Sequence, residues 1–344
     1  MTSLERALTA INLGIPDRVP VDLHNFCVAA EMMGGSYEDI FTDGKKIAQS
    51  QILAWEEFRH DVLLVEVGTT TTAEAVGCKV QYRGHDAPVV TEPLLDNLKD
   101  VDKLKVPDPY RSGIQMREML KAVRILRDKL ADKVFIMGRA DQGPFVLAAQ
   151  LRGYDDFLMD LAEHRNIKLI HKLLDFCCQV TIRYVLALIE AGAHGSSIGD
   201  SAAGPDVVSP AIYKEFAFPY ERKLIQKLKD KNVIMATHIC GNVDSIIEEM
   251  VATGSKIIEI DHKTDLKKAK KAARNKTCLL GPIDTERLRR GTPDEIDKLC
   301  RKAIEIAAPG GGFILGPGCA MAGDTPLENI HALVNSARKY GVYR

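Results

Sequence analysis

The sequence lacks the features that mark several large classes of protein. Its 344 residues carry 46 Lys and Arg against 47 Asp and Glu, and the resulting net charge of −1 gives no reason to expect a nucleic-acid partner. The longest apolar stretches run only a few residues, which excludes a membrane-spanning helix. The N-terminal stretch MTSLERALTAINLG has charged residues and no apolar core. We therefore expect no secretory signal and a cytoplasmic protein.

The chain also lacks internal repeats, low-complexity blocks and recognisable linkers. Its hydrophobic fraction of 46% lies in the range of globular proteins, which excludes general disorder. We expect one domain over residues 1–344. For the oligomeric state, a homodimer is an alternative to a monomer.

Cysteine, in contrast, occurs at eight positions. In a long chain without a secretory signal, such residues are buried thiols, metal ligands or catalytic groups rather than disulfides. Cys177 and Cys178 lie in an apolar helical pattern and Cys300 in a later one, so we assign these three to packing. Cys27, Cys78 and Cys278 stay unassigned, which leaves Cys240 and Cys319.

Eight short apolar or β-branched runs alternate with helical patterns, and this order predicts an α/β fold. The expected architecture is a single (β/α)8 TIM-type barrel with an N-terminal helical extension, and a doubly wound open sheet is the alternative. A hairpin-like insert, KVQYRGHDAPVV (79–90), follows the second run. The eight predicted strands are VPVDL (19–23), DVLLVEV (61–67), VFIMG (134–138), GSSIG (195–199), VIMATH (233–238), IIEID (257–261), TCLLG (277–281) and FILG (313–316).

One imidazole and two thiols follow two of these strands. His238 and Cys240 are two residues apart, so their side chains emerge on the same face of an extended segment. Cys319 follows the last strand in FILGPGCAM. Such a set suits Zn²⁺ with its fourth coordination position open, the pattern of a catalytic zinc site. The alternative is that both cysteines are ordinary buried thiols.

Two segments around these residues, HICGNVD (238–244) and LGPGCAMAGDTPLENIHALV (315–334), resemble the methylcobamide:coenzyme M methyltransferases of the uroporphyrinogen decarboxylase superfamily. Further similar stretches lie at 4–21, 142–153 and 199–225, so the resemblance covers nearly the whole chain. It implies a (β/α)8 barrel with His238, Cys240 and Cys319 as zinc ligands. It also implies methyl transfer between a small substrate and the cobalt of a corrinoid.

The decarboxylase activity itself is the less favoured interpretation. The decarboxylases carry an arginine-containing motif after the first strand, whereas VDLHNFCVAAEMMGG (21–35) contains no arginine. A tetrapyrrole with eight carboxylates would need several cationic partners. We therefore expect a methyltransferase.

Three further residues are candidates for catalysis. Asp22 and His24 lie on one face at the end of the first strand, in PVDLHNF, a stretch that is more similar to methyl-ether-demethylating members of the family. Such groups could protonate a departing alkoxide, so an O-methyl substrate and transfer to Co(I) are slightly favoured over a thiol of the coenzyme M type. Asp200 lies in the matched segment GDSAAG and is a candidate for contacting the substrate or supporting the metal. For Asp22 and His24 the alternative is a polar plug that satisfies backbone groups, and for Asp200 it is capping of the following helix.

The corrinoid should arrive on another protein. The chain contains no Asp-x-His-x-x-Gly motif of the corrinoid-binding type. We therefore expect a separate corrinoid protein that docks transiently over the barrel mouth. The lysine-rich run DLKKAKKAARNK (265–276) is most simply a solvated helix face, and contact with that partner is the alternative.

Overall fold

A computed structural model describes residues 1–343. Nine strands lie in this part of the chain: β1 Val62–Val65, β2 Lys79–Arg83, β3 Asp86–Glu92, β4 Phe135–Gln142, β5 Gly195–Gly199, β6 Ile234–Ile239, β7 Ile257–Ile260, β8 Cys278–Ile283 and β9 Phe313–Pro317. Seven of them form a sheet in the order β1-β4-β5-β6-β7-β8-β9, and every neighbouring pair in this sheet is parallel. The strands β2 and β3 pair with each other in antiparallel orientation.

Helices connect and surround the parallel strands. The same residues 1–343 contain sixteen α-helices: α1 Ser3–Ile11, α2 Phe26–Met33, α3 Tyr37–Phe41, α4 Gly44–Phe58, α5 Thr71–Val76, α6 Ile114–Leu130, α7 Pro144–Arg152, α8 Tyr154–Ala162, α9 Ile167–Glu190, α10 Pro210–Ile212, α11 Phe218–Lys229, α12 Ile247–Ala252, α13 Leu266–Ala273, α14 Thr285–Arg290, α15 Pro293–Ala307 and α16 Leu327–Tyr340. Within residues 1–343, no helix is both long and apolar enough to cross a membrane.

The first predicted strand supplies the remaining stave of the barrel. It pairs through two single bridges, Val21 with Leu315 of β9 and Asp22 with Val62 of β1. The Asp22 N–H donates to the Leu315 carbonyl at 3.0 Å, and the Val62 N–H donates to the Val21 carbonyl at 3.0 Å. The segment stays short because Pro20 lacks an N–H and His24 turns to a positive φ of 43°. The two edge strands of the sheet are thereby joined, and the predicted (β/α)8 fold is confirmed.

The barrel interior has an apolar floor and a polar upper layer. Near the N-terminal ends of the strands the inward side chains are apolar, and Ala7, Ala10 and Ile11 of α1 pack against them from below. The predicted N-terminal helical extension therefore closes the bottom of the barrel. Because successive residues of a strand alternate in direction, the inward series continues upward into charged residues near the C-terminal ends. The apolar floor comprises Val62, Leu64, Phe135, Met137, Ala236, Ile257, Cys278, Leu280 and Ile314.

The predicted insert is the β2–β3 hairpin, which follows β1 and α5. Its tip contacts the start of α3, where the Tyr37 N–H donates to the Gly84 carbonyl at 3.2 Å. The His85 Nδ1 lies 2.7 Å from the Glu31 carboxylate. The hairpin is thus held against helices that follow the first stave.

Candidate metal centre

Three potential metal ligands meet at the C-terminal rim of the barrel. His238 is the fifth residue of β6, Cys240 directly follows that strand, and Cys319 lies two residues after β9. Because all barrel strands are parallel, their C-terminal ends open on one rim. His238 is buried, and both cysteines are half-buried.

The three donor atoms are close enough to share one ion. The His238 Nε2 lies 3.1 Å from the Cys240 Sγ, and the Cys240 Sγ lies 3.7 Å from the Cys319 Sγ. Within residues 1–343 this is the one group of three or more His, Cys, Asp or Glu residues whose ligand atoms all lie within 4.8 Å of one another. Two thiolates in a tetrahedral zinc site with Zn–S bonds of about 2.3 Å are about 3.8 Å apart. The donor set and its spacing therefore fit zinc.

Neighbouring groups orient these ligands. The His238 Nδ1 lies 3.3 Å from the Glu259 carbonyl oxygen. A hydrogen bond donated by Nδ1–H to that carbonyl leaves the Nε2 lone pair directed at the cysteines, as a metal ligand requires. The Ser201 Oγ lies 3.0 Å from the Cys240 Sγ. Hydrogen bonds from Cys319, His238 and Ser201 lower the pKa of Cys240 below its usual value, which favours the thiolate form of this sulfur.

A buried ionic layer lies directly below the ligands. The Arg139 guanidinium is 3.1 Å from the Glu259 carboxylate and 3.7 Å from the Glu66 carboxylate. It also donates to the Ser197 Oγ at 3.2 Å. Burial favours the neutral form of Arg139, but Glu66 and Glu259 outweigh it and raise the pKa of the guanidinium. One cation is thus shared by two carboxylates, one of which belongs to the residue whose carbonyl faces His238.

The structure places Asp22 and His24, the candidates from the first stave, in this polar layer. The His24 Nε2 lies 2.6 Å from the Glu66 carboxylate. Asp22 is fully buried, and neither of its carboxylate oxygens has a hydrogen-bond partner within the described chain. Burial and the charge of Glu259 raise the pKa of Asp22 well above its usual value. The protonated form of Asp22 is therefore favoured relative to that of an exposed aspartate.

Asp200 directly precedes Ser201, but its carboxylate is directed at the start of α7 and not at the cysteines. It accepts the backbone N–H of Val146 at 2.7 Å and that of Phe145 at 3.3 Å, in the first turn of α7. Burial raises the pKa of Asp200. Burial and the charge of Asp200 also raise the pKa of the nearby Glu221. This geometry is the helix-capping role that the sequence left open beside a catalytic one.

Ser201, Arg139 and Glu259 belong to the site but were not singled out from the sequence. Glu259 is the single charge within the apolar strand IIEI, and Arg139 continues the inward alternation of β4. A charged residue at an inward position of a fully buried strand is costly unless it is paired. That signal could have identified both residues. Ser201 was contained in the matched segment GDSAAG but carries no such signal.

Gly318 lets the loop that carries Cys319 approach the barrel. A Cβ on Gly318 would lie 2.9 Å from the His262 backbone nitrogen and 3.0 Å from the Asp261 Cα. The Gly318 N–H also donates to the Ile283 carbonyl at 2.7 Å. A larger residue would have to displace backbone, so glycine at this position helps to fix where Cys319 sits.

The remaining cysteines are not part of this cluster. Cys177, Cys178 and Cys300 are each fully buried in helices, in agreement with their assignment to packing. Of the three unassigned cysteines, Cys278 belongs to the apolar floor and Cys78 is buried.

Comparison with known proteins now identifies the family. Residues 2–340 match the family described as Uroporphyrinogen decarboxylase (URO-D). The chain belongs to the uroporphyrinogen decarboxylase family. The predicted family membership is thereby confirmed.

Several relatives in this family are methyltransferases by name. The chain is 28% identical over 344 residues to the methylcobamide:CoM methyltransferase MtbA of Methanosarcina acetivorans, with 98% of each chain covered. It is 29% identical over 341 residues to the methylcobamide:CoM methyltransferase MtaA of Methanosarcina barkeri, with 97% of each chain covered. A solved structure of a methyltransferase from Methanosarcina mazei superposes with a TM-score of 0.90 at 27% identity and covers 99% of both chains.

Proposed function

We propose that this protein is a zinc-dependent methyltransferase that moves a methyl group between a small substrate and the cobalt of a separate corrinoid protein. The observation that carries the proposal is the convergence of His238, Cys240 and Cys319 at the barrel mouth. The full-length similarity to methylcobamide-using enzymes supports the same class of reaction.

The protein's own residues would hold and orient the reacting group. Zinc supplies a Lewis acid that lowers the pKa of a thiol and stabilises negative charge on sulfur or oxygen. Two thiolates and one neutral imidazole leave a divalent ion close to neutral overall, so that an anionic sulfur or oxygen can join them. The half-buried position of both cysteines leaves this side of the site accessible from the mouth.

A thiol is the first candidate for the small substrate. The relatives named above are coenzyme M methyltransferases, and a further one is named methylated-thiol–coenzyme M methyltransferase, at 24% identity over 348 residues. A thiolate is also a strong nucleophile toward a methyl group. The O-methyl substrate that the sequence favoured has no specific support from these relatives.

A methyl ether is the second candidate, and Asp22 is the observation that favours it. A departing alkoxide needs a proton, and a protonated carboxyl group in the barrel can supply one. Asp22 is the candidate, because it is fully buried, neither carboxylate oxygen has a hydrogen-bond partner in residues 1–343, and burial and the charge of Glu259 raise its pKa. His24, which is hydrogen-bonded to Glu66, is the adjacent imidazole.

Porphyrinogen decarboxylation fits this interior less well. A substrate with many carboxylates needs unpaired cations, and Arg139, the cation of the polar layer, is already paired with Glu66 and Glu259. The stretch 21–35 also contributes no arginine. Porphyrinogen decarboxylation also does not require a cluster of two thiols and an imidazole.

Metal analysis combined with cobalamin spectroscopy tests the proposal. The purified protein should contain about one zinc per chain, as a three-ligand catalytic site requires. With free methylcobalamin, a panel of thiols should remove the methyl–cobalt absorption band. With Co(I) cobalamin, a panel of methoxylated aromatics would create that band if a methyl ether is the substrate.

The matched control uses another cysteine of the chain. Cys319→Ser should lose both zinc and methyl transfer, whereas Cys300→Ala, which alters a buried thiol in the helix layer, should keep both. Full zinc content and full transfer in Cys319→Ser would disprove the proposal. Turnover of uroporphyrinogen by the metal-free protein would instead favour the decarboxylase.

A further inference from the structure

A basic groove runs along the outside of the barrel between α13 and α15. It has two adjoining parts of about 550 Å³ each, and both parts are lined by Lys267 and Ile306. The segment 263–276 that forms one wall contains seven Lys and Arg residues and one acid, Asp265, in a chain whose net charge is −1. Positive charge is therefore concentrated on this face. The cations that line the groove are Lys267, Lys270, Lys271, Arg274, Arg287 and Lys302.

Most of these cations are not neutralised within the described chain. Lys267, Arg287 and Lys302 are exposed, and residues 1–343 place no carboxylate within 4.0 Å of their charged groups. The two acids that line the groove serve as helix caps: Asp265 accepts the Lys267 N–H at 2.8 Å, and Asp284 accepts the Glu286 N–H at 2.8 Å. A run of solvated lysines on one helix would not explain cations from three different helices facing one groove.

The groove begins beside the metal centre. Its lining includes His262, which lies just after β7, and Ile283, which is the last residue of β8. Gly318, the residue before Cys319, packs on the His262 backbone and donates its N–H to the Ile283 carbonyl at 2.7 Å. A protein seated over the rim near Cys319 would therefore contact the groove.

We propose that this groove is the docking surface for the corrinoid protein, and that the partner presents an acidic surface to it. This inference rests on the proposed function, because it assumes that cobalt is delivered by a protein. Complementary charge accelerates a transient encounter by about 10–10³-fold without requiring a large buried interface. Such an encounter suits a carrier that must also leave to meet its other methyl partner.

The test reverses charge in the groove and measures binding and transfer separately. The variant Lys267→Glu/Arg287→Glu/Lys302→Glu changes exposed residues that take no part in the metal centre. The control, Lys129→Glu/Lys133→Glu, changes exposed lysines at the end of α6, which precedes β4 and lies towards the opposite end of the barrel. The probe is a purified corrinoid protein that carries methylcobalamin, with free methylcobalamin as the protein-free methyl donor.

We expect the groove variant to bind the corrinoid protein at least 10-fold more weakly, with the loss shrinking as salt concentration rises. Transfer from free methylcobalamin should stay within twofold of the unmodified protein, and the control variant should match it in every assay. Unchanged binding of the corrinoid protein by the groove variant would overturn the inference. So would charge-dependent binding of an RNA oligonucleotide or of anionic phospholipid vesicles in its place. If the proposed function were wrong, the unmodified protein would transfer methyl neither from free methylcobalamin nor to free Co(I) cobalamin, whatever the binding result.

Discussion

Arg139 provides a quantitative test of the buried ionic layer below the metal centre. The substitution Arg139→Met keeps most of the side-chain volume but removes the cation that lies 3.1 Å from Glu259 and 3.7 Å from Glu66. Removing one partner of a buried ion pair costs about 3–5 kcal/mol, because the remaining charge has no compensation. Arg139 compensates two carboxylates, so we expect the free energy of unfolding to fall by about 5 kcal/mol, at the top of that range.

The effect of Arg139→Met should depend on pH. In the unmodified protein, burial would raise the pKa of Glu66, but Arg139 and His24 lower it below its usual value. Glu66 thus contributes stability above its unfolded pKa, about 4.3, and this contribution is lost as the pH falls through the lowered pKa. Without Arg139, burial dominates and raises the pKa of Glu66, so that its ionised form destabilises the fold at neutral pH. The stability difference between the two proteins should therefore be larger at pH 8 than at pH 5.

Urea unfolding followed by circular dichroism measures this difference. The double variant Arg139→Met/Glu259→Gln should recover part of the loss, because it removes one of the uncompensated charges. Arg301→Met, which breaks the exposed pair with Glu305, is the control and should leave the unfolding midpoint unchanged. A loss below about 1 kcal/mol in Arg139→Met, or a loss that does not change with pH, would refute the assigned role of the layer.

Three further predictions concern the metal and the buried acids. Gly318→Ala should weaken zinc binding about 10-fold with every ligand intact, because the added Cβ would press on the His262 backbone. Competition with a chromogenic chelator measures the zinc affinity, and an unchanged affinity would contradict the prediction. Cys319→Ser should release zinc to the same chelator without urea, whereas the parent protein should retain it. Burial raises the pKa of Asp200 and of Glu221, so the folded state holds protons that the unfolded state releases. The free energy of unfolding should therefore fall as the pH rises from their unfolded pKa values, near 4, through the raised pKa values of the folded state. Glu221→Gln should flatten that slope in urea unfolding between pH 5 and 8, and an unaltered slope would show that the pair does not titrate there.

The sequence and its family resemblance predicted the architecture and the three residues that converge in the candidate metal centre. Alternation of apolar runs with helical patterns predicts a parallel barrel because each strand is too apolar to face water. The spacing of His238 and Cys240 predicts their common face because side chains alternate along any strand. The family resemblance linked these two residues to Cys319, which is 79 positions away from Cys240. These inferences hold because they depend on local periodicity and on motifs that need no tertiary contact.

The tertiary structure decided which polar residues cooperate. No sequence pattern shows that Arg139 lies between Glu66 and Glu259, because that triad depends on the register of three strands. Asp200 looked equivalent to Asp22 from the chain, yet it accepts N–H groups of α7, whereas Asp22 is buried without a partner. Strand register and barrel closure set these distances, and both arise only when segments far apart in the chain pack together. The sequence by itself therefore specified which groups could act, and the closed barrel determined which of them face one another.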